Sequence, residues 1–529
     1  MSEAAVRQGG VTAAHARRLF IGSCVALTSG SMMFAIVSDI LGPLKQEFVL
    51  SNEQIGWMRS GGAWGFMLSM FLLGPLCDAL GMRRLLRLAL VCHAAGIAMM
   101  IAANGFWMLF FGGLVNSIGS GAVEAACNPL TATIYPDKKT HKLSQFHMWF
   151  PGGIVIGGVA CYLMSQAGLG NWQWKLTLAL VPTAMYGIMF TGQYFPPTER
   201  VQAGVSFGGM FKETFLRPLF LVLLGCMVLT ASLELGPMGW IPSVLEAGGV
   251  PGILVLVWIT GLMAVLRLFC GPVVKVLTNT GLLLLSAAVA GLGLLLLSFS
   301  ANIYMVGAAA TLFAFGVCYF WPTMIGTAAE RVPKGGALAL SVLGGVGAMF
   351  VGVVATPLMG RIADGQLHRQ LVFQGVVEGR QVDRRQDTVA AFREIDAAYG
   401  KWAAGLGETK RDELTKRQVG QVHDTARAVL ASWQSSGSLP ETATANALRM
   451  AISNGPPGPA DKVAGPAEAE ALAAKKKAQA ILNPAENKGG LLSFRWVSVV
   501  AVVLIVVFGV MFVQDRRRAR MMASVTGQP

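Results

Sequence analysis

Charged residues are scarce in this sequence. Only 13% of the 529 residues are Asp, Glu, Lys or Arg, whereas 54% are hydrophobic and the mean hydropathy is +0.56. A soluble domain carries about 25% charged residues. The composition therefore excludes an ordinary soluble protein. Apolar runs of about 20 residues, each long enough to cross about 30 Å of hydrocarbon, indicate a polytopic membrane protein instead.

Other patterns are also lacking. The eight cysteines show no CxxC spacing and lie within or beside apolar runs, so neither a metal site nor a disulfide framework is expected. No nucleophile–base, phosphate-loop or cofactor pattern is present, so an enzyme is not expected. The excess of 42 Lys and Arg over 28 Asp and Glu lies mostly between apolar runs. Contact with anionic lipid, rather than nucleic acid, explains that excess.

Twelve apolar segments predict an all-α polytopic fold, which the repeat and the resemblance given below divide into two pseudo-symmetric six-helix bundles. Lys and Arg cluster at the N-terminus (Arg7 included), after the even-numbered segments and at the C-terminus. This distribution predicts cytoplasmic termini in a cell inner (plasma) membrane. The first run reads as a membrane span, since no cleavable signal peptide is evident. The predicted spans are 19–42, 55–78, 85–104, 106–128, 143–166, 174–195, 217–241, 252–273, 281–299, 302–326, 337–360 and 493–513.

One long polar insertion interrupts the second bundle. It holds 15 of the 28 acids. Its first part has helical periodicity and predicts a helical hairpin, while its Pro-, Ala- and Lys-rich end predicts a tether with one short helix. The expected organisation is an N-terminal bundle (1–198), a cytoplasmic connection (199–216), helices 7 to 11 (217–360), the extracytoplasmic insertion (361–492), helix 12 (493–513) and a basic tail (514–529).

Three acids lie inside predicted spans: Asp39, Glu124 and Glu234. A carboxylate in hydrocarbon is costly, so it usually faces a cavity and serves a transport pathway or a proton relay. The alternative for each is a structural acid paired with a base. Arg267, near the end of span 8, is expected to reach the interface or to pair, without a transport role.

A Gly-Pro pair recurs after span 2 (GPLCDALGMRR, 74–84) and after span 8 (GPVVKVLTNTG, 271–281). The first stretch resembles the cytoplasmic gate signature of the major facilitator superfamily. That resemblance implies two six-helix halves rocking about a central site, usually in a monomer. It also implies an inward gate held shut by the matching residues, which are Gly74, Asp78, Gly81, Arg83 and Arg84.

GSGAVEAACNPLTATIYP (119–136), with an acid followed by Asn-Pro, resembles span 4 of the L-fucose permease branch of that superfamily. The resemblance implies that Asp39 and Glu124 couple protons, and that Glu124 binds sugar and proton alternately. Asn128, His147 and Glu234 match positions implied to contact substrate. Asn128 has a second reading as a span-end residue beside a proline, and His147 as a core histidine.

Four aromatic residues are further candidates for lining the substrate cavity: Trp149, Trp240, Tyr319 and Trp321. Membrane aromatics also pack or sit at interfaces. The sequence departs from the permease before Asp39, where apolar residues replace amide side chains. That loss weakens the expectation of a hexose, because hydroxyl groups need paired polar partners.

The expected function is proton-coupled symport of a small solute such as a sugar or sugar derivative. One alternative is a proton antiporter exporting amphiphilic compounds, which would use the same acids. The apolar neighbourhood of Asp39 favours that alternative. A second alternative is a non-transporting sensor, whose receiving domain would be the insertion.

Overall fold

The computed structural model describes residues 11–48, 52–202, 204, 206–250, 252–377, 380–407, 410–456 and 465–526. Arg7, the early part of the predicted tether (457–464) and the last residues of the basic tail (527–529) lie outside the described residues. The chain forms two compact units. The first comprises Met1–Gly239, Leu254–Thr356 and Val497–Pro529, and the second comprises Trp240–Ile253 and Pro357–Trp496.

The described part of the N-terminal half contains eight α-helices, two of which follow breaks inside predicted spans. Two short helices, α9 (Glu199–Gln202) and α10 (Phe207–Phe215), then lead to the second half. The first eight are α1 (Ala13–Glu47), α2 (Asn52–Leu80), α3 (Met82–Ile101), α4 (Phe106–Ile134), α5 (Lys139–His147), α6 (Trp149–Gln166), α7 (Trp172–Thr177) and α8 (Leu180–Phe190).

In the second half a break also falls inside a predicted span, between α14 and α15. The helix α16 continues through a π-helical turn (Val351–Ala355) into α17. A non-glycine residue with positive φ, Thr278 (65°), breaks α13 before its apolar part. The helices are α11 (Pro218–Ala247), α12 (Gly252–Leu268), α13 (Cys270–Leu297), α14 (Ile303–Val317), α15 (Phe320–Arg331), α16 (Gly336–Phe350) and α17 (Thr356–Leu371).

Ten continuous helical stretches among the described residues are long and apolar enough to cross a membrane. Some of them join two consecutive helices, as Ile303–Arg331 joins α14 and α15. The polytopic, helical class is therefore confirmed, whereas the count of twelve is not reached by long helices alone. Predicted span 8 contains a shorter apolar helix, Leu254–Leu268. Predicted span 6 is divided into α7 and α8.

Small residues allow the helices of the first half to approach closely. A Cβ on Gly96 of α3 would lie 2.4 Å from the backbone nitrogen of Asn116 on α4, and one on Gly65 of α2 would lie 2.2 Å from the carbonyl oxygen of Leu114. Association of helices in lipid depends on such packing, because lipid tails are as apolar as leucine. These glycines therefore hold α4, and with it Glu124, against α2 and α3.

The second unit has its own hydrophobic core, built around Phe392, Tyr399 and Leu448. It contains an antiparallel hairpin of β1 (Gln374–Val377) and β2 (Arg380–Asp383), in which Gln374 pairs with Asp383. Its helices are α17 from Pro357 onward, α18 (Arg384–Ala404), α19 (Lys410–Ser436), α20 (Glu441–Ser453) and the first part of α21 (Pro466–Thr526), together with the end of α11 and the start of α12.

Two expectations for the insertion are wrong. Among the described residues of the insertion, three helices and a β-hairpin stand where a helical hairpin was expected. The predicted tether is helical from Pro466 onward, in one helix that continues through predicted span 12. Proline at the first position of a helix loses no hydrogen bond, and the Ala, Glu and Lys that follow favour helix.

Arg449 is the charged centre of the second unit. Its guanidinium donates to Asp364 Oδ1 at 2.9 Å and to Glu486 Oε1 at 2.7 Å. Burial acts to lower the pKa of Arg449, but the hydrogen bonds that Arg449 donates to these two carboxylates outweigh it and raise that pKa. The three residues tie together α17, α20 and α21.

Candidate functional site

Glu124 lies on α4 and is buried, with 5% of its surface exposed. It is ten residues from the end of α4, or about 15 Å at 1.5 Å per residue, which is about half the thickness of the hydrocarbon core. One helical turn further on, Asn128 Nδ2 donates a hydrogen bond of 3.4 Å to Glu124 Oε2. The Asn-Pro pair that follows the acid in the sequence therefore supplies the polar partner of that acid.

His147 extends this chain of hydrogen bonds. Its Nε2 lies 2.9 Å from Asn128 Oδ1, and the imidazole is buried. Because the amide nitrogen of Asn128 points to Glu124, its oxygen must accept, so His147 Nε2 is the donor. Glu124, Asn128 and His147 thus form one oriented chain within the first half of the protein.

Arg267 of α12 connects this chain to the second half. It is 2% exposed, and its guanidinium donates through Nη1 to the carbonyl oxygen of His147 at 2.7 Å. It also donates through Nε to the carbonyl oxygen of Cys318 at 2.6 Å and through Nη2 to Glu234 Oε1 at 3.1 Å. The site therefore contains an Arg267–Glu234 ion pair, in which Glu234 was a predicted candidate and Arg267 was expected to have no transport role.

Two prolines explain why those carbonyl oxygens are available. In an α-helix the carbonyl of residue i accepts from the N–H of residue i+4. Four residues after His147 stands Pro151, and four residues after Cys318 stands Pro322, and proline has no N–H. Both carbonyl oxygens are left without their helical donor, and Arg267 donates one N–H to each of them. The two stretches HMWFP (147–151) and CYFWP (318–322) are the sequence signal from which these two free carbonyl oxygens could have been predicted.

The four predicted aromatic residues take different places. Tyr319 donates from its hydroxyl to the carbonyl oxygen of Leu266 at 2.6 Å, beside Arg267 in the chain. Trp321 is buried, and its Nε1 has no hydrogen-bond partner among the described residues. Trp149 packs against the core of the first half. Trp240 belongs to the second unit.

Asp39 is not brought next to Glu124. Lys175 donates to Asp39 Oδ2 at 2.5 Å, and about a third of the Asp39 side chain is exposed. On antiparallel α1 and α4, Gly30 faces Ser120. Asp39 lies nine residues after Gly30 on α1, and Glu124 lies four residues after Ser120 on α4. Because the two helices run in opposite directions, these offsets add, and at about 1.5 Å per residue the two acids are about 20 Å apart along the helix axes. The two acids occupy different depths.

The gate-motif residues lie where α2 ends and α3 begins, on the side where α1 also begins. We call this the base-rich side. Asp78 accepts a hydrogen bond of 2.5 Å from Thr198 Oγ1. Gly81 has φ of 82°, a conformation that favours glycine, and it allows the tight turn between the helices. Arg83 and Arg84 are exposed.

The two halves contact each other on the base-rich side. Glu330 of α15 accepts from Thr140 of α5 at 2.7 Å and from Asn279 of α13 at 2.7 Å. Gly74 lies so close to α16 that a Cβ on it would be 2.3 Å from Ser341 Cβ. A cavity of only about 20 Å³ remains between the halves nearby, lined by residues that include Ala132 and Leu340.

The buried charged residues connect the two helical halves of a polytopic membrane protein. Such an arrangement is typical of membrane transporters. The sequence model of the Major Facilitator Superfamily matches residues 19–357, and the chain belongs to that superfamily. Its members and the solved structures similar to it are transporters and not enzymes. In the ranges that the structure describes, no three His, Cys, Asp or Glu residues converge as a metal site would require.

Individual proteins are also similar over part of the chain. A D-xylose transporter of Levilactobacillus brevis is 26% identical over 183 residues, which is 34% of this chain and 37% of that transporter. The transporter FucP, solved in its outward conformation, has a TM-score of 0.55 at 16% identity over 65% of this chain and 92% of FucP. The proton:xylose symporter XylE has a TM-score of 0.57 at 12% identity over 67% of this chain and 90% of XylE. The two structural likenesses concern the fold alone.

Proposed function

We propose that the protein is a proton-coupled symporter of a small solute such as a sugar or sugar derivative. The observation that carries this proposal is the buried Glu124, which is joined through Asn128 and His147 to Arg267 of the other half. Buried ionisable groups in membrane proteins typically mark substrate or proton pathways. Similarity to a D-xylose transporter and to the fold of a proton:xylose symporter supports the same function.

Protonation of Glu124 would reverse the direction of the hydrogen-bond chain. The carboxylate accepts from the Asn128 amide nitrogen, whereas a carboxylic acid donates. The amide oxygen would then turn toward Glu124 and the amide nitrogen toward His147, which would have to accept. The backbone carbonyl of His147 holds Arg267 of the other half. We infer that this reversal transmits the state of Glu124 to the contact between the halves.

Asp39 has a separate place in this proposal. It lies toward the side opposite the base-rich side, with Lys175 as its ion-pair partner. We propose that it exchanges protons with that side, about 20 Å along the helix axes from Glu124. Glu124 would then be the acid whose protonation is coupled to substrate transport.

We further propose that the base-rich side faces the cytoplasm of a cell whose inner (plasma) membrane holds this protein as a monomer with twelve spans. The distribution of Lys and Arg supports that orientation. The contacts of Gly74, Asp78 and Glu330 would then close the cytoplasmic gate. Rocking of the halves would open it and release substrate and proton inward.

Replacing Glu124 by Gln tests the coupling role. The variant should lose uphill uptake driven by a pH gradient but retain exchange of substrate at equal pH, because Gln remains neutral throughout the cycle. Uptake and exchange would be measured in proteoliposomes. Glu213→Gln, at an acid paired with Arg217 on an exposed helix, is the matched control and should behave as wild type. Undiminished accumulation by Glu124→Gln would refute the proposal.

Export of amphiphilic compounds in exchange for protons is the second candidate. The apolar residues that precede Asp39, such as Ala35 and Ile36, favour it. The two functions differ in the direction of the pH change when substrate is added to vesicles. Symport makes the external medium more alkaline as substrate enters, whereas antiport moves protons against the substrate.

A further inference from the structure

The ion pair between Arg267 and Glu234 is incompletely bonded. Both side chains are 3% exposed, and one contact of 3.1 Å joins them. Three of the five N–H bonds of Arg267 have acceptors among the described residues, namely two carbonyl oxygens and one Glu234 oxygen. Glu234 Oε2 is buried and has no hydrogen-bond partner in the same residues. Buried polar atoms are seldom left unbonded, so this arrangement indicates a place for a further partner.

Charge balance limits what that partner can be. A guanidinium does not lose its proton in proteins, so Arg267 is a permanent cation. Its other two acceptors, the carbonyl oxygens of His147 and Cys318, carry no formal charge. Glu124 is a second buried carboxylate that acts electrostatically on Arg267. When Glu124 carries its proton, as the proposed coupling step requires, protonation of Glu234 would leave a buried cation without a counterion, which costs several kcal/mol. A neutral solute would not remove that cost, whereas an anion would.

We propose that the Arg267–Glu234 pair is the binding site for a carboxylate group of the transported solute, and that one proton binds to Glu234 as this anion binds to Arg267. This inference rests on the proposed symport function and names its substrate class as small organic acids. The proton adds to a Glu234 oxygen, and the substrate carboxylate takes the guanidinium N–H bonds thus released. The pair gains one positive and one negative charge, so its net charge stays at zero.

Other titratable groups surround the pair, from α4, α5, the start of α13 and the link between α14 and α15. Among those that the structure describes, Glu124 is the one further carboxylic acid, and it is already hydrogen-bonded to Asn128. The protonated Glu234 could donate from Oε2 to the substrate, and the indole N–H of Trp321 is available for a hydroxyl oxygen. The groups concerned are Glu124, His147, Cys270, Cys318 and Tyr319.

The test uses the full-length protein in detergent and compounds in matched pairs. Each carboxylate is compared with a neutral relative: D-glucuronate with D-glucose, D-gluconate with D-glucitol, nicotinate with nicotinamide, and benzoate with benzamide. At least one carboxylate should raise the Tm while its neutral relative does not. Its Kd should fall about tenfold for each unit by which the pH is lowered, because one proton is taken up with the anion. Proton uptake would be measured directly in weakly buffered titrations.

Variants assign the effect to the pair. Arg267→Gln should weaken carboxylate binding at least tenfold. If that variant does not fold, the double variant Glu234→Gln/Arg267→Gln leaves no charge at the pair and should show the same loss. Glu234→Gln should still bind the carboxylate, but without proton uptake and without the pH dependence. A panel with no carboxylate-specific shift, or a shift that survives loss of Arg267, would overturn the inference.

Failure of the symport proposal gives a different result. If Glu124 does not couple protons, Glu124→Gln will accumulate substrate normally while carboxylate binding remains dependent on Arg267. If instead only neutral sugars bind, and Glu124→Gln loses uphill uptake of them, symport stands and the carboxylate site is refuted.

Discussion

Closure on the base-rich side depends on a glycine that leaves no space for a side chain. Gly74 belongs to α2 of the first half and faces Ser341 on α16 of the second half. A Cβ on Gly74 would lie 2.3 Å from Ser341 Cβ and 2.7 Å from its Oγ. Ordinary carbon contacts are at about 3.5–4.0 Å, so Gly74→Ala requires α2 and α16 to separate by about 1 Å.

The cost of this separation sets the expected size of the effect. Overpacking by one methyl group typically costs about 1–3 kcal/mol. If the two halves separate here when the protein opens, that cost applies to the closed state alone. The ratio of open to closed molecules should then rise by a factor of about 5 to 150.

A reporter cysteine can measure that ratio. Ala132, which lines the small cavity between the halves and is 4% exposed, would be changed to Cys after replacement of the eight native cysteines. Its reaction with a membrane-impermeant maleimide from the base-rich side should accelerate in Gly74→Ala. Ser341→Gly should reverse the acceleration, because it removes the opposing Cβ. Gly158→Ala, at a glycine with no neighbouring atom within 4 Å, serves as the control. An unchanged labelling rate in Gly74→Ala would refute the reasoning.

Two further predictions concern stability. Arg267→Gln should lower the free energy of unfolding by about 3–5 kcal/mol, because it leaves Glu234 as an unpaired buried charge. The double variant with Glu234→Gln should recover most of that loss, as measured by thermal unfolding in detergent at pH 7.5. A double variant as unstable as the single one would contradict this account. In the second unit, Arg449→Met should cost about 1–2 kcal/mol, since its contacts with Asp364 and Glu486 are only partly buried. Limited proteolysis should show faster cleavage in that unit, and equal cleavage rates would count against the role of these contacts.

The sequence named single candidate residues in both halves, among them Glu124, His147 and Glu234, but not the contacts between them. Glu124 and Asn128 are one helical turn apart, so helical periodicity explains why they meet. Partners on the other half could not be paired by spacing, because no periodicity links α4 to α12. Arg267 therefore remained a residue that could equally have extended to the interface.

Prediction of the insertion failed for a different reason. Proline, alanine and lysine were interpreted as marks of a flexible segment, although alanine and lysine are strong helix formers. Pro466 stands at the start of α21, where its missing N–H costs nothing, and Pro484 is accommodated inside that helix. Hydrophobic burial, which composition does not display, decides between the two interpretations: Ala471, Ala478 and Leu482 are all buried in the core of the second unit.

Pro151 and Pro322 act on Arg267 without touching it through any polar atom of their own. Each proline lacks a backbone N–H, which leaves the carbonyl oxygen four residues earlier free to accept from Arg267. Any of the other nineteen amino acids would restore that N–H, which would compete with Arg267 for the same oxygen. Tolerance to substitution at these two positions should thus depend on the backbone and be nearly independent of side-chain size or polarity. Under the proposed role of Arg267, recognition of the substrate therefore depends partly on the main chain, at two carbonyl groups that lack their helical hydrogen-bond donor.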